Sequence, residues 1–415
     1  MPRLTERLPA LRHAGFREYL GGAFVSQVGN NVQAWAIAWH VYYLTESSLM
    51  VGLLGLVRVG PLLALTLFGG VLADRADRRK VMLLTQSVLA LVALVVLLIT
   101  ANGSATVGAL YGIVAATAVA RAFDGPARQS MVVGLVPIQD FPNAASLNGI
   151  TWRLSDVLGP IIAGVLIASG GLFGMTGLSL CYALNFVSFA AVLIAVWRLP
   201  PKPPEMGRPQ SMKEVFGLIG EGLRFVNRTP VVRSAMWIDF WATLFSGAEA
   251  LLPAFAATIL KLGPEGYGIL AASTGLGALL AASGMAWFPT VHRQGRMVVM
   301  MIGSFGLFTI CFGLAPNLWT ASISLALVGA SDMISTVLRQ TIRQLATPDE
   351  LRGRMSATSS LFHITGPQLG DFEAGAVASV WGERASIVIG GALCMVVAAH
   401  WSRAKALVGY IHHPR

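Results

Sequence analysis

The chain alternates between long apolar runs and short polar connections. Twelve of these runs are close to the roughly 20 residues that an α-helix needs to cross a bilayer. We place them at 20–44, 50–72, 80–101, 106–125, 144–169, 175–197, 232–259, 266–288, 297–315, 319–340, 356–381 and 385–402. The stretch 126–143 either extends the fourth helix or lies along the membrane surface. The pattern predicts an all-α integral membrane protein with twelve transmembrane helices.

The longest polar stretch, 198–231, separates the first six runs from the last six. It begins with a proline-rich segment and continues as an amphipathic helix with a basic face. Its apolar face holds Val215, Phe216, Ile219, Leu223 and Phe225. Such a helix either lies on the inner leaflet or binds a partner, and we favour the leaflet. We therefore divide the chain into a six-helix half (1–197), a linker (198–231) and a second six-helix half (232–415).

The two halves also resemble each other in sequence. At an offset of 211 residues, Arg128-Gln129 matches Arg339-Gln340, and LGPIIAG (158–164) matches LGDFEAG (369–375). The matches keep one register over some 37 residues. An internal repeat of this kind is typical of transporters that are built from two similar helical bundles.

Composition and charge support the membrane prediction. The chain is 55% hydrophobic and 12% charged, whereas soluble domains carry about 25% charged residues. With the N-terminus in the cytoplasm, 26 of the 30 lysines and arginines fall in cytoplasmic segments. The external loops hold Lys261 and Arg384. This bias predicts that both termini are cytoplasmic. It explains the net charge of +10 without nucleic acid as a partner.

Several other functions find no support in the sequence. The cysteines Cys181, Cys311 and Cys394 are far apart and lie in apolar runs, so they suggest neither disulfides nor a metal site. There is no GxxxxGK[ST] motif for ATP. We see no nucleophile–base set and no short apolar leader with a cleavage site. We therefore expect no enzyme activity, no cofactor and no metal.

The loop between the second and third runs carries the clearest motif. It reads GGVLADRADRRK (69–80), and six of its last seven residues are charged. Such a cluster cannot lie in hydrocarbon, so it must connect two helices at the membrane surface. The loop resembles motif A of the major facilitator superfamily. The residues that match are Gly70, Asp74, Arg75, Arg78, Arg79 and Lys80, while Asp77 stands where many members have glycine.

The resemblance implies a gating role for this loop. Asp74 would meet the positive N-terminal end of the eleventh span, near residues 355–359, in the outward-facing state. Arg78 would connect Asp74 to Asp124, which lies near the cytoplasmic end of the fourth span. These contacts would hold the two halves together.

A second motif lies in the fifth span. Its small residues and proline resemble motif C, the signature of the antiporter branch, although the full pattern has more glycines. The residues are Ser155, Gly159, Pro160, Ala163 and Gly164. Small side chains let helices cross closely, and a proline bends its helix. The stretch therefore indicates either ordinary close packing or an antiporter.

Two longer stretches narrow the resemblance within the superfamily. They are RAFDGPARQSMVVGLVP (121–137) and the region 248–282. Both are similar to the branch that contains bacterial siderophore exporters, the enterobactin exporter among them, and macrolide-efflux proteins. This resemblance implies export of a small organic molecule.

Charged residues inside the spans are candidates for proton coupling, because each is costly unless it is paired or wetted. The acids Glu249, Asp332, Asp371 and Glu373 have no basic residue beside them. Burial in an apolar wall favours the protonated form of a carboxylic acid. Asp371 and Glu373 are two residues apart, about 200° around a helix, so they cannot face one cavity together.

Other residues in the spans are placed less firmly by the sequence. Arg58 is a candidate partner for any of these four acids. Arg153 and Asp156 are three residues apart and favour a structural ion pair, while Asp239 lies where it can extend towards the cytoplasm. The aromatic and imidazole side chains either line the cavity or pack in the core; they are Trp35, Trp39, His40 and His363.

Together these features predict a secondary active transporter of the inner (plasma) membrane. We expect proton-coupled efflux of a siderophore or hydrophobic drug by a monomer in the lipid bilayer. Uptake by the same fold is the alternative within transporters. A non-transporting receptor or sensor is the alternative from another class, although the chain has no sizeable soluble domain to relay a signal.

Overall fold

The computed structural model describes residues 8–75, 77–172, 174–200, 212–285, 292–348 and 351–410. Helices make up most of these residues, and none of them forms a β-strand. The helices are α1 Ala14–Thr45, α2 Ser48–Arg75, α3 Arg78–Ala101, α4 Val107–Val133, α5 Phe141–Ala168, α6 Gly177–Arg198, α7 Met212–Arg228, α8 Pro230–Leu244, α9 Pro264–Met285, α10 Gln294–Gly313, α11 Leu318–Ala346, α12 Arg352–Trp381, α13 Glu383–Trp401 and α14 Lys405–Val408.

The membrane prediction can be compared directly with these helices. Within the described ranges, ten helices are long and apolar enough to cross a membrane. The helices at the first and eleventh predicted spans, α1 and α12, contain 32 and 30 residues but are not among the ten. Both carry many polar side chains. The all-α membrane fold is confirmed, while the count of twelve spans stays a prediction.

Short polar side chains begin several helices. Each accepts a hydrogen bond from a backbone N–H of the first turn, which has no partner within the helix. These residues are Asp77 for α3, Thr106 for α4, Thr176 for α6 and Asn317 for α11. At the other end of α4, the helix continues to Val133. The first part of 126–143 therefore extends the fourth helix.

The seventh predicted span, 232–259, is interrupted. Helix α8 ends at Leu244, and the chain continues through a 3₁₀ turn at Gly247–Leu251 and a π-helical turn at Phe255–Ile259. Gly247 lies directly against the backbone of Gly370 on α12, where any added Cβ would overlap the Gly370 carbonyl oxygen. The irregular turns therefore accompany a close approach between two backbones, and Glu249 lies within them.

The chain forms two compact units. Unit 1 comprises Met1–His40 and Gly60–Met212, and unit 2 comprises Val41–Val59 and Lys213–Arg415. Buried side chains of α1, α3, α4 and α6 form a core in unit 1, including Phe16, Met82, Met131 and Phe189. Buried side chains of α8, α10 and α11 form a core in unit 2, including Ile238, Ile302 and Leu338.

The amphipathic helix α7 packs on unit 2. Glu221 and Arg354 form an ion pair of 2.7 Å between α7 and the start of α12. Val226 is buried in a cluster with Met236 of α8 and Met355 of α12. One face of α7 is therefore covered by protein. Its predicted position on the inner leaflet stays a prediction.

Candidate functional site

The described part of the charged loop begins α3. Asp77 accepts a hydrogen bond from the backbone N–H of Arg79, and Arg79 donates one to the carbonyl oxygen of Trp197 on α6. Arg78 is almost fully buried and lies 3.5 Å from the carbonyl oxygen of Ser130 on α4. These basic side chains therefore fasten the start of α3 to neighbouring helices.

The remaining motif A residues divide into two groups. Lys80 is exposed at the surface. At Gly70, Asp74 and Arg75 the structure describes only the helical backbone, so the predicted latch stays a prediction.

Asp124 is the centre of a buried polar cluster in unit 1. Its carboxylate accepts hydrogen bonds from Thr85 at 3.0 Å and Gln86 at 2.7 Å, both on α3. Arg128, one turn further along α4, forms an ion pair with it at 3.2 Å. The guanidinium of Arg128 also lies over the ring of Trp152, 6.0 Å from its centroid. Asp124 is thus satisfied by partners on α3 and on its own helix.

The repeat places a second buried arginine at the equivalent position of unit 2. Arg339 and Asp239 are both almost fully buried and form an ion pair of 2.8 Å between α11 and α8. Arg343 lies 3.7 Å from the same carboxylate. The expectation that Asp239 extends towards the cytoplasm is wrong, because two arginines hold it in the interior. Asp332, half exposed, lies 3.7 Å from Arg339.

A cavity of about 710 Å³ opens beside this network in unit 2. Most of its lining residues carry hydroxyl, amide or basic groups, and Leu345 and Met355 add apolar surface. The lining includes Thr336, Gln340, Arg343, Ser359, Ser360 and His363. His363 is exposed to the cavity. The space can therefore take a polar or hydrated organic group.

Arg58 lies with two of the acids that the sequence left without a partner. The Arg58 guanidinium interacts electrostatically with Asp371 of α12 and with the buried Tyr267 of α9. Glu249 acts on the same tyrosine. Charged side chains from α2 and the 3₁₀ turn therefore lie near Tyr267, and the α2 residue Arg58 also lies near Asp371 of α12.

Glycines bring α2 and α12 together at this point. Cβ atoms added at Gly52 and Gly375 would lie 2.5 and 2.7 Å from the carbonyl oxygens of Asp371 and Ser48. Glu373 belongs to a different environment, because its charge acts on Cys394 of α13. Asp371 and Glu373 thus serve different neighbours, in line with their predicted angular separation.

The motif C-like residues form a tight helix crossing in unit 1. Ser155, Gly159, Pro160, Ala163 and Gly164 are all buried. A Cβ added at Gly159 would overlap the Cβ of Asn31 on α1. The repeat-related Gly370 makes a similar approach in unit 2, since its Cβ would lie 2.6 Å from the Leu244 carbonyl oxygen. Gly159 therefore lies at a close helix crossing, and an antiporter role of these residues stays a prediction.

Two further polar groups occur in the spans of unit 1. Arg153 and Asp156 form the expected ion pair, at 3.7 Å, and Asn31 donates a hydrogen bond to Asp156 at 3.1 Å. Near the end of α1, His40 is buried and lies 3.0 Å from the hydroxyl of Tyr182. His40 is thus a satisfied core residue, whereas Trp35 on α1 is only partly buried.

No metal centre is evident in the described ranges. None of their histidine, cysteine, aspartate and glutamate side chains form a group of three or more that could hold an ion. Cys181 and Cys394 are buried thiols, and Cys311 is exposed.

Comparison with known proteins gives consistent matches along the chain. The family model described as transmembrane secretion effector matches residues 5–408. Enterobactin exporter EntS from Salmonella choleraesuis (strain SC-B67) is 28% identical over 393 residues, which cover 91% of this chain and 89% of that protein. Enterobactin exporter EntS from Escherichia coli O81 (strain ED1a) is 27% identical over 359 residues, 86% and 84% of the two chains.

Solved structures share the fold at much lower identity. A bacterial homologue of the human lysosomal transporter Spinster, inward-facing and unoccupied, has a TM-score of 0.73 and 14% identity, with 97% of this chain and 99% of that chain covered. A mutant of the peptide transporter POT, in complex with alafosfalin, has a TM-score of 0.72 and 13% identity, with 96% of both chains covered.

Proposed function

Because the chain belongs to the transmembrane secretion effectors of the major facilitator superfamily, we propose that it exports a small organic molecule across the inner membrane in exchange for protons. The chain is a multi-pass membrane transporter for a small-molecule substrate and not an enzyme. We further propose that it works as a monomer in the lipid bilayer with both termini in the cytoplasm. The basic residues of the cytoplasmic segments support this orientation.

One observation carries the direction and the substrate class. The similarity to the enterobactin exporters extends over nine-tenths of this chain and of theirs. A siderophore is therefore the first candidate substrate, and a hydrophobic drug is the second. Export would proceed by alternating access of the two six-helix halves, 1–197 and 232–415, joined by the linker 198–231.

Proton coupling is the second part of the proposal. An antiporter needs a carboxylate whose protonation changes as the site is exposed to each side of the membrane. Asp371 is a candidate for this carboxylate because it interacts electrostatically with Arg58. Asp332 is a candidate because it is half exposed and lies 3.7 Å from Arg339. Glu249 and Glu373 remain the other two candidates.

Efflux from proteoliposomes tests both parts. Vesicles are loaded with enterobactin, and the external medium is made more acidic than the lumen. An antiporter should release the substrate faster than it does without a gradient. An unchanged rate would contradict proton antiport, and accumulation of external substrate together with protons would indicate uptake. Substrate binding without any transport would favour a receptor.

Single neutralising variants then test the carboxylates. We expect Asp371→Asn, Asp332→Asn, Glu249→Gln or Glu373→Gln to abolish gradient-driven efflux in at least one case while substrate still binds. Asp140→Asn is a matched control, because Asp140 pairs with His13 at 2.8 Å ahead of α5 and outside the spans. Gradient-driven efflux at the wild-type rate in all four variants would refute an intramembrane carboxylate mechanism of this kind.

A further inference from the structure

Helix α1 carries an unusual number of polar side chains for a membrane helix. Some of them are buried and satisfied. Asn185 of α6 donates a hydrogen bond to Gln33 at 2.8 Å, and Asn30 donates one to the carbonyl oxygen of Ser26 at 2.9 Å. All four residues are buried. Burial keeps these pairs out of reach of a ligand, and a structural role accounts for them.

Asn31, Arg153 and Asp156 differ from these pairs in their exposure. The side chains of Arg153 and Asp156 are 40% and 39% exposed. Asp156 is 15 residues after the start of α5 and 12 before its end. At 1.5 Å per residue it lies roughly 20 Å from either end, near the middle of a bilayer. Both charges therefore sit at a depth where lipid would be the costliest surroundings.

The exposure of these two side chains indicates water on this face of unit 1. Charged side chains at the midplane of a membrane face a bundle interior or an aqueous cavity rather than lipid. The sequence predicts that Arg153 and Asp156 neutralise each other, but this prediction does not explain why both side chains are exposed. The ion pair of Arg339 and Asp239, by contrast, is almost fully buried.

The geometry of the pair leaves room for a ligand. The 3.7 Å separation of Arg153 Nη1 and Asp156 Oδ2 is longer than an ordinary hydrogen bond. The other carboxylate oxygen, Oδ1, accepts the hydrogen bond from Asn31. Among the described residues, the guanidinium has no hydrogen-bond partner at closer range. The N–H donors of the Arg153 guanidinium therefore lie beside the Asp156 carboxylate, and each group can form further hydrogen bonds.

The close crossing at Gly159 keeps this arrangement in place. Gly159 follows Asp156 by one turn of α5 and contacts Asn31 directly. On the other face of α1, Gly29 packs against Ser188 and Asn185 of α6. Helix α1 is therefore held between α5 and α6. This packing fixes the backbone of Asn31 beside Asp156, so that the Asn31 amide can donate its hydrogen bond.

We propose that Asn31, Arg153 and Asp156 form a substrate-binding subsite for an uncharged group that carries a hydrogen-bond acceptor and a donor on neighbouring atoms. Two adjacent hydroxyls are the simplest such group. The acceptor would bind the Arg153 guanidinium, and the donor would bind the Asp156 carboxylate. An anionic group would be repelled by Asp156 and a cationic one by Arg153, so neutral groups fit best. This inference rests on the proposed export function, because it assigns part of the substrate site.

Binding of catechol to the purified full-length protein in nanodiscs tests the subsite without transport. We expect catechol to bind wild-type protein, and its dimethyl ether, which has no donor, to bind at least ten-fold more weakly. Asp156→Asn should weaken catechol binding about ten-fold or more, because a hydrogen bond to a charged group is lost. The surface pair Glu18 and Arg198, 3.9 Å apart in the same unit, is the control. Glu18→Gln should leave binding unchanged.

A double variant separates binding from folding. Arg153→Gln/Asp156→Asn leaves no unpaired charge in the membrane, so it should fold even if Asp156→Asn does not. The inference is supported if the folded double variant also binds catechol at least ten-fold more weakly. Wild-type binding by either folded variant, or no catechol binding by wild-type protein, would overturn it. Catechol binding without proton-driven efflux would instead contradict the proposed function and leave the subsite standing.

Discussion

Replacing Gly159 by alanine tests whether the crossing of α1 and α5 is as close as the structure describes. The added Cβ would overlap the Cβ of Asn31 and lie 3.2 Å from its carbonyl carbon. Because carbon atoms pack best about 3.5–4.0 Å apart, the two helices would have to separate by about 1 Å. The hydrogen bond from Asn31 to Asp156, now 3.1 Å, would lengthen or break.

The expected cost follows from overpacking. An extra methyl group in a tightly packed interior destabilises a protein by about 1–3 kcal/mol when the backbone must shift. Gly149 lies on the same helix, and beyond that helix's own backbone no atom of the described residues would lie within 4 Å of a Cβ added there. Gly149→Ala should be neutral or stabilise the protein by up to about 1 kcal/mol, because alanine favours the helix. The two variants should therefore differ by at least about 1 kcal/mol.

The assay is reversible unfolding in mixed micelles at increasing fractions of SDS, followed by tryptophan fluorescence. Gly159→Ala should lower the free energy of unfolding, and Gly149→Ala should not. Catechol binding by the folded proteins adds a second measurement, which should fall for Gly159→Ala alone. Equal free energies of unfolding for the two variants would show that α1 and α5 are not packed against each other at Gly159.

Three further predictions concern topology, gating and buried charge. On a cysteine-free background, Ser104→Cys, in the turn after α3, should react with an impermeant reagent from outside intact cells, and Ser211→Cys should not; equal labelling would contradict the topology. Asp74→Asn should fold normally but transport more slowly, because losing the latch shifts the conformational equilibrium; wild-type turnover would refute this role. Asp239→Asn should destabilise the protein by about 3–5 kcal/mol, because it strands a buried arginine. Asp332→Asn, which removes a half-exposed partner of the same arginine, should cost under about 1 kcal/mol, and equal losses for these two variants would count against the buried pair.

Local sequence was sufficient for the general architecture. A helix in a bilayer satisfies its own backbone hydrogen bonds, so a single apolar run can mark a span, and ten of the twelve predicted spans are marked in this way within the described ranges. The capped start of α3 at Asp77 follows equally from nearby residues. The repeat correctly paired Arg128 with Arg339, both of which are buried, and Gly159 with Gly370, both of which lie at close helix crossings.

Only the tertiary structure decided which charges are paired and which face water. Asp239 and Arg339 are 100 residues apart along the chain, and Arg58 and Asp371 are separated by most of its length. No local pattern relates such residues. The irregular turns after α8 likewise accompany contact with α12, within a segment, Pro230–Ile259, that still forms one candidate span as the apolar run predicts.

The pair of Arg153 and Asp156 shows the same division most clearly. Their spacing of three residues on one helix was enough to predict the ion pair. Whether that pair is buried or wet depends on which neighbours cover α5, and those neighbours come from distant parts of the chain. Sequence thus determined that the charges meet, and the packing of α1 against Gly159 determined that Asn31 joins them.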